Sequence, residues 1–130
     1  MPAVKVYART IEPKKKTTIA KKFCAAVQEY LKVPIVEIIF FDMDRIYGND
    51  EREHCLLEME GPTRSADIIE RMGQAICNIF LEESGRMECN VSVIYHTNSQ
   101  ELVVNTEGSL ANTLERKRKA DSVKQSTTSP

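Results

Sequence analysis

The residue with the most chemical potential in this chain is Pro2, directly behind Met1. An aminopeptidase that removes Met1 would expose it, and an exposed proline is a secondary amine, which no internal proline is. A free α-amino group has a pKa of about 7.7–8.0, and burial among apolar groups lowers it further. The result is a base poised near neutral pH, the condition for efficient proton transfer. The other reactive side chains offer less. Cys24, Cys55, Cys77 and Cys89 stand 31, 22 and 12 residues apart, with no C-x-x-C pair to hold zinc or to cycle as a redox couple. They read as reduced, mostly buried small hydrophobes. His54 and His96 read as edge or interface histidines. Neither a metal nor an organic cofactor is expected.

Charge supplies the context for that base. The chain of 130 residues carries 18 basic and 19 acidic side chains, a formal net charge of −1. That balance hides an uneven distribution: residues 1–32 sum to +6, residues 33–114 to −10 and residues 115–130 to +3. The basic front, with its Lys14-Lys15-Lys16 run, makes an anionic substrate plausible through long-range attraction. The acidic middle disfavours nucleic acid as a partner of the domain, because Cys55–Glu60 brings carboxylates where RNA-binding sheets carry stacking aromatics. No apolar run approaches the ~18–20 residues of a membrane span, and no charged-then-apolar leader opens the chain. A cytoplasmic location is therefore expected, with nuclear entry through the basic tail as an addition. Residues 111–130 read as a disordered tail. From Glu115 on, Val123 is the only large apolar side chain, too little to offset chain entropy. Residues 1–110 read as the working domain.

The elements that must position Pro2 follow from periodicity. Ala3–Ala8 is a short strand with Val4, Val6 and Ala8 on one face. Pro13 suits a first helical turn, and Ile19, Phe23, Val27 and Leu31 form one helical stripe after it. Pro34 ends that region. Ile35–Phe41 is a strand too apolar to be wetted on one face, and Asp44–Asp50 is a loop. The order then repeats. His54–Glu60 is a strand, Gly61-Pro62-Thr63 a turn, and Ile68, Ile69, Met72, Ile76, Ile79 and Phe80 line one face of a second helix. Asn90–His96 is a last strand. Sliding the chain by 53 residues superposes the two halves, about 2–53 and 54–107, in pattern though not in identity. A duplicated β-α-β unit gives an α+β fold: a four-stranded mixed sheet with two helices on one face. Two topologies share that element order, the tautomerase fold and the ferredoxin-like fold. The excess apolar surface of the second strand calls for a cover on the open sheet face, which other subunits would supply.

Pro2 at the head of an apolar strand, the doubled β-α-β order and three local motifs together resemble the tautomerase superfamily over roughly residues 2–108. That superfamily includes 4-oxalocrotonate tautomerase, macrophage migration inhibitory factor and cis-3-chloroacrylic acid dehalogenase. Lys32-Val33-Pro34 is similar to the lysine-to-proline turn of the migration-inhibitory-factor group, and Tyr47-Gly48 to its aromatic–glycine loop. Thr63-Arg64-Ser65-Ala66-Asp67, followed by Gly73-Gln74-Ala75-Ile76, is similar to the dehalogenase group's arginine-bearing approach to helix two. The resemblance implies a homotrimer with sites near subunit interfaces and cofactor-independent keto–enol chemistry on small 2-oxo acids. It implies Pro2 as the general base, with Lys32 and Arg64 as substrate-binding cations. Tyr95, beside the dehalogenase group's tyrosine position, is implied as a further substrate contact. The 4-oxalocrotonate tautomerase arginine has no match, since Glu12 or Pro13 stands there, and Arg9 nearby is the substrate-binding candidate in its stead. Asn105 replaces the dehalogenase group's water-activating glutamate and Val27 its helix-one histidine, which disfavours hydrolytic dehalogenation. A fold that has kept its shape and lost its chemistry, serving as an interaction protein, is the alternative, with a ferredoxin-like module binding a small ligand as another.

Overall fold

The computed structural model describes residues 2–98, 104–106 and 108–109. The chain divides into two units, Met1–Thr97 and Asn98–Pro130. The first contains β1 (Ala3–Arg9), α1 (Pro13–Leu31), β2 (Glu37–Met43), β3 (Ile46–Tyr47), β4 (Glu53–Gly61), α2 (Ala66–Ser84) and β5 (Asn90–Thr97). In the second, β6 (Val104–Asn105) pairs antiparallel with β7 (Gly108–Ser109). The tail expected over residues 111–130 lies outside the described residues.

α1 and α2 each run for 19 residues and start 53 residues apart, at Pro13 and Ala66. β2 and β5 start 53 residues apart as well, at Glu37 and Asn90. The apolar stripes make the core. Ile19, Phe23, Val27 and Leu31 of α1 and Met72, Ile76 and Phe80 of α2 are fully buried against Val4, Val6, Leu57 and Met59 of the two central strands. Both helices end on a left-handed residue, Lys32 at φ 55° and Gly85 at φ 72°. A glycine takes that conformation without cost, whereas Lys32 sits where side chains are seldom found.

The lysine run at the start of α1 opposes the helix dipole, and the fold finds partners for most of it. Lys15 Nζ donates to the Ser84 carbonyl at 3.2 Å, closing the end of α2. Lys16 pairs with Asp42 at 2.8 Å and lies 5.7 Å over the Phe40 ring. Lys22 binds Glu83 across the two helices. Much of the basic front therefore ties α1 to its neighbours, and Lys14 is the exposed remainder of the run.

The sheet topology decides between the two folds. β1 pairs in parallel with β2 and antiparallel with β4, and β4 pairs in parallel with β5. Each strand-helix-strand unit thus places its two strands side by side. A ferredoxin-like fold splits those units, so the ferredoxin-like alternative is excluded. Two details differ from the sequence expectation. The sheet has a fifth strand, because Ile46 and Tyr47 of the expected loop pair antiparallel with His54 and Glu53. β2 also begins at Glu37 rather than Ile35: pairing starts where the Glu37 amide donates to the Pro2 carbonyl at 3.0 Å.

The sheet face away from the helices stays open. Ile39, Phe41, Met43 and Ile94 remain 37 %, 41 %, 41 % and 44 % exposed on it. Tyr7 stacks on Phe41 with ring centroids 4.8 Å apart. Beside this apolar strip runs a charged one, in which Lys5 lies 3.9 Å from Glu58 and 3.7 Å from Glu60, and His96 lies 3.5 Å from Glu58.

Candidate functional site

Pro2 is buried at the head of β1, on the face that packs against the helices with Val4, Val6 and Ala8. Its carbonyl is fixed by the Glu37 amide. Ala3 is in register with Glu60 of β4, so Pro2 comes level with Gly61 at the end of that strand. The chain then turns through Pro62 and Thr63 to Arg64, two residues ahead of α2. Residues 61–64 therefore stand at the same end of the molecule as Pro2.

Two side chains tie this end together. Arg64 donates through one terminal nitrogen to the Leu31 carbonyl at 2.6 Å and through the other to its own neighbour, the Thr63 carbonyl, at 2.9 Å. A basic residue just ahead of α2 opposes that helix's dipole. The same guanidinium sits at the C-terminus of α1, where a cation is favourable. Lys32 is the next residue on, its amide bonded to the Gln28 carbonyl at 2.9 Å. Tyr95 on β5 donates its hydroxyl to the Pro62 carbonyl at 2.5 Å. Burial pushes the Tyr95 phenol above its ordinary pKa, and the Arg64 charge opposes that rise. The tyrosine stays a neutral donor at physiological pH.

The structure thus gathers four of the five expected site residues at one end: Pro2, Lys32, Arg64 and Tyr95. Gly61 and Pro62 join them, and the sequence pattern showed these only as a turn. A Cβ on Gly61 would lie 2.6 Å from the Tyr95 hydroxyl and 3.3 Å from Leu31 Cδ1. The Gly-Pro pair directly behind an alternating strand was the available signal for so close an approach.

Arg9 lies elsewhere. It is seven residues along β1 from Pro2, roughly 23 Å at about 3.3 Å per residue. Its guanidinium is forked onto Glu53 at 2.7 and 3.2 Å. The hydrogen bond from Arg9, more than any other contact, holds the Glu53 carboxyl below its usual pKa. Arg86 donates to the carbonyls of Arg9 and Thr10 at 2.7 and 2.6 Å. A cavity of about 530 Å³ opens here, with Arg9, Arg45, Arg52, Arg86 and Cys89 among its lining residues. Within one subunit Arg9 and Pro2 are not neighbours. The 53-residue offset sets Cys55 of β4 in the place that Pro2 holds in the first unit. Cys55 is an internal thiol, which burial pushes up to about 12, so it supplies neither an amine nor a thiolate near neutral pH.

That thiol has a measurable consequence. The folded chain holds the Cys55 proton more tightly than the unfolded chain, whose thiol titrates near 8.5. The stability this confers is complete below pH 8.5 and is lost as pH rises from there towards 12. By pH 10 the loss is about 2 kcal/mol. Urea titrations at pH 7 and pH 10 should show it in the native chain, and Cys55→Ala should remove that part of the alkaline loss. An equal loss in both chains would assign it to other groups.

Among the described residues, no three or more His, Cys, Asp or Glu side chains are grouped to hold a metal ion. None of the described helices is long and apolar enough to cross a membrane.

No protein-family model and no curated protein sequence matches the chain. Solved structures do match. Leishmania major MIF2 superposes with a TM-score of 0.69 at 16 % identity, over 84 % of this chain and 96 % of its own. A symmetric trimer of wild-type fused 4-OT gives 0.70 at 16 %, over 85 % and 96 %. The FG41 malonate semialdehyde decarboxylase inhibited by 3-bromopropiolate gives 0.70 at 16 %, over 88 % and 96 %. All three are tautomerase-superfamily structures. At such low identity the likeness concerns architecture: the chain has the tautomerase, MIF-like fold.

Proposed function

We propose that the protein is a cofactor-independent keto–enol tautomerase of small 2-oxo acids, with Pro2 as its general base once Met1 has been removed. The observation that carries this reading is Pro2, buried at the head of β1, at the same end of the fold as Lys32, Arg64 and Tyr95. The neutral Pro2 amine takes the enol O–H proton and returns a proton to the adjacent carbon, so the double bond moves from C=C to C=O and the amine is regenerated. Lys32 and Arg64 supply positive charge for the substrate carboxylate. The reaction needs the nitrogen free. While Met1 is attached, that nitrogen belongs to an amide and has no basic lone pair.

The open sheet face supports a homotrimer, in which each apolar β2 strip is covered by another copy; the fused 4-OT structure is itself a symmetric trimer. The trimer and the chemistry are separate claims and are tested separately.

The first test is activity on phenylenolpyruvate with Met1 removal verified by intact mass. A second reading, an interaction protein without chemistry, draws on the bonding of Arg64 and Tyr95 to main-chain carbonyls. Arg64→Gln separates the two uses of that arginine. Loss of its charged hydrogen bond to Leu31 should lower stability by about 1.5–3 kcal/mol. If the guanidinium also binds substrate, KM should rise about tenfold as well. A stability loss with unchanged KM would confine Arg64 to holding α1.

A further inference from the structure

We propose that Tyr95 is a positioning residue for the Pro2 base: its hydroxyl holds the Gly61–Pro62 turn that stands level with Pro2, and it does not contact substrate. The inference rests on the reading of Pro2 as a base and adds what sets that base.

The phenol donates to the Pro62 carbonyl at 2.5 Å, so its only proton is committed to the main chain. An ionised carboxylate can only accept, so it would have to displace Pro62 to reach that proton. The turn held in this way stands level with Pro2 in the β1–β4 register. On its other side Pro2 is held by the Glu37 amide. The turn on the β4 side is held by a side chain, the Tyr95 phenol. Gly61 shows how tightly the hydroxyl is seated, since even a methyl group there would meet it at 2.6 Å. Arg64 completes the clamp by tying the segment after the turn to Leu31 at the end of α1. The hydroxyl and Leu31 both close on Gly61, the residue level with Pro2.

The charged groups placed at this end by the register enter the expected pH behaviour, among them His96, which is in register with Glu60 on the open sheet face. Lys32 follows α1 and Arg64 precedes α2, and both disfavour a protonated amine. Glu37 and Glu60 flank Ala3 in register, so they lie on the opposite, open sheet face with Lys5 and favour protonation less than their proximity in sequence suggests. Tyr95 itself is neutral. The dominant variable left is water. With the turn fixed, Pro2 stays desolvated and its amine stays a weaker base than a free α-amino group. With the turn loosened, water enters and the amine moves back towards about 7.7–8.0.

The test is the pH dependence of Pro2 alkylation by 3-bromopyruvate on the full chain lacking Met1, read by mass mapping of the N-terminal peptide so that adducts on the four free cysteines are told apart, together with kcat and KM on phenylenolpyruvate. In Tyr95→Phe the alkylation midpoint should rise by at least half a pH unit and kcat should fall about tenfold, with KM within twofold. Gly61→Ala, which evicts the hydroxyl without removing it, should move the midpoint in the same direction. A tenfold rise in KM with an unmoved midpoint in Tyr95→Phe would make the tyrosine a substrate contact and overturn the proposal. Midpoints unmoved in both variants would overturn it too, with the base intact. A native chain that 3-bromopyruvate never alkylates at Pro2 would instead bring down the base and the positioning role together.

Discussion

With Pro2 as the proposed base, Pro2→Ala should lower kcat/KM for phenylenolpyruvate by about 10²–10⁴-fold, the span that a positioned general base contributes, and should leave the fold intact. The substitution keeps an α-amino group, so the effect comes from geometry and basicity together. The proline ring fixes the direction of the nitrogen lone pair, whereas the alanine amine rotates. Pro2 takes part in the fold through its carbonyl, bonded to the Glu37 amide, and alanine keeps that carbonyl. Thermal unfolding should therefore shift by little while activity collapses. A variant that kept more than a third of the native rate would remove Pro2 from the chemistry.

If the protein is the proposed trimer, Phe41→Lys should convert it into a monomer. Phe41 sits in the middle of the exposed β2 strip, stacked on Tyr7 and flanked by Ile39 and Met43. If three copies cover these strips, each substituted trimer would bury three ammonium groups in apolar contacts without partners. An unpaired buried ion costs several kcal/mol, so three of them exceed what a typical interface can absorb. Within the isolated subunit the same position is 41 % exposed, and the lysine costs little there. Sedimentation should give three times the 14.8 kDa chain mass for the native protein and a single chain mass for the variant. A native protein that sediments as a monomer would leave the open sheet face to some other partner.

Much of this fold was legible because its periods are strong. Four α1 residues spaced four apart, Ile19, Phe23, Val27 and Leu31, are all fully buried, and the alternation of Cys55, Leu57 and Met59 marks the buried face of β4. The pairing of β1 with β2 was not legible, since element order alone permits a split or an unsplit unit. It took the register to separate them. Residues 44–50 looked like a loop because a two-residue strand has no period to show.

The site was legible to a different degree. Pro2 and Lys32 stand out by position, one at the chain's start and the other beside a proline that ends a helix. Arg64 looked misplaced against the dipole of α2 because sequence does not show that α1 ends within its reach. Tyr95 was visible as a phenol in a strand, but its commitment to Pro62 is a contact across 33 residues. Arg9 was a candidate because it lies near the position of the 4-oxalocrotonate tautomerase arginine, just after the expected first strand. An extended strand separates its two ends as far as a chain can, and Arg9 instead anchors Glu53 at the far end.

The most direct test of the central claim is an intact-mass spectrum of the purified, active protein before and after reaction with 3-bromopyruvate. The active chain should begin at Pro2 and gain an adduct that peptide mapping places on the Pro2 nitrogen, with activity lost in step with it. A chain that retains Met1 and is fully active on phenylenolpyruvate would contradict it, because an acylated Pro2 nitrogen has no proton to exchange.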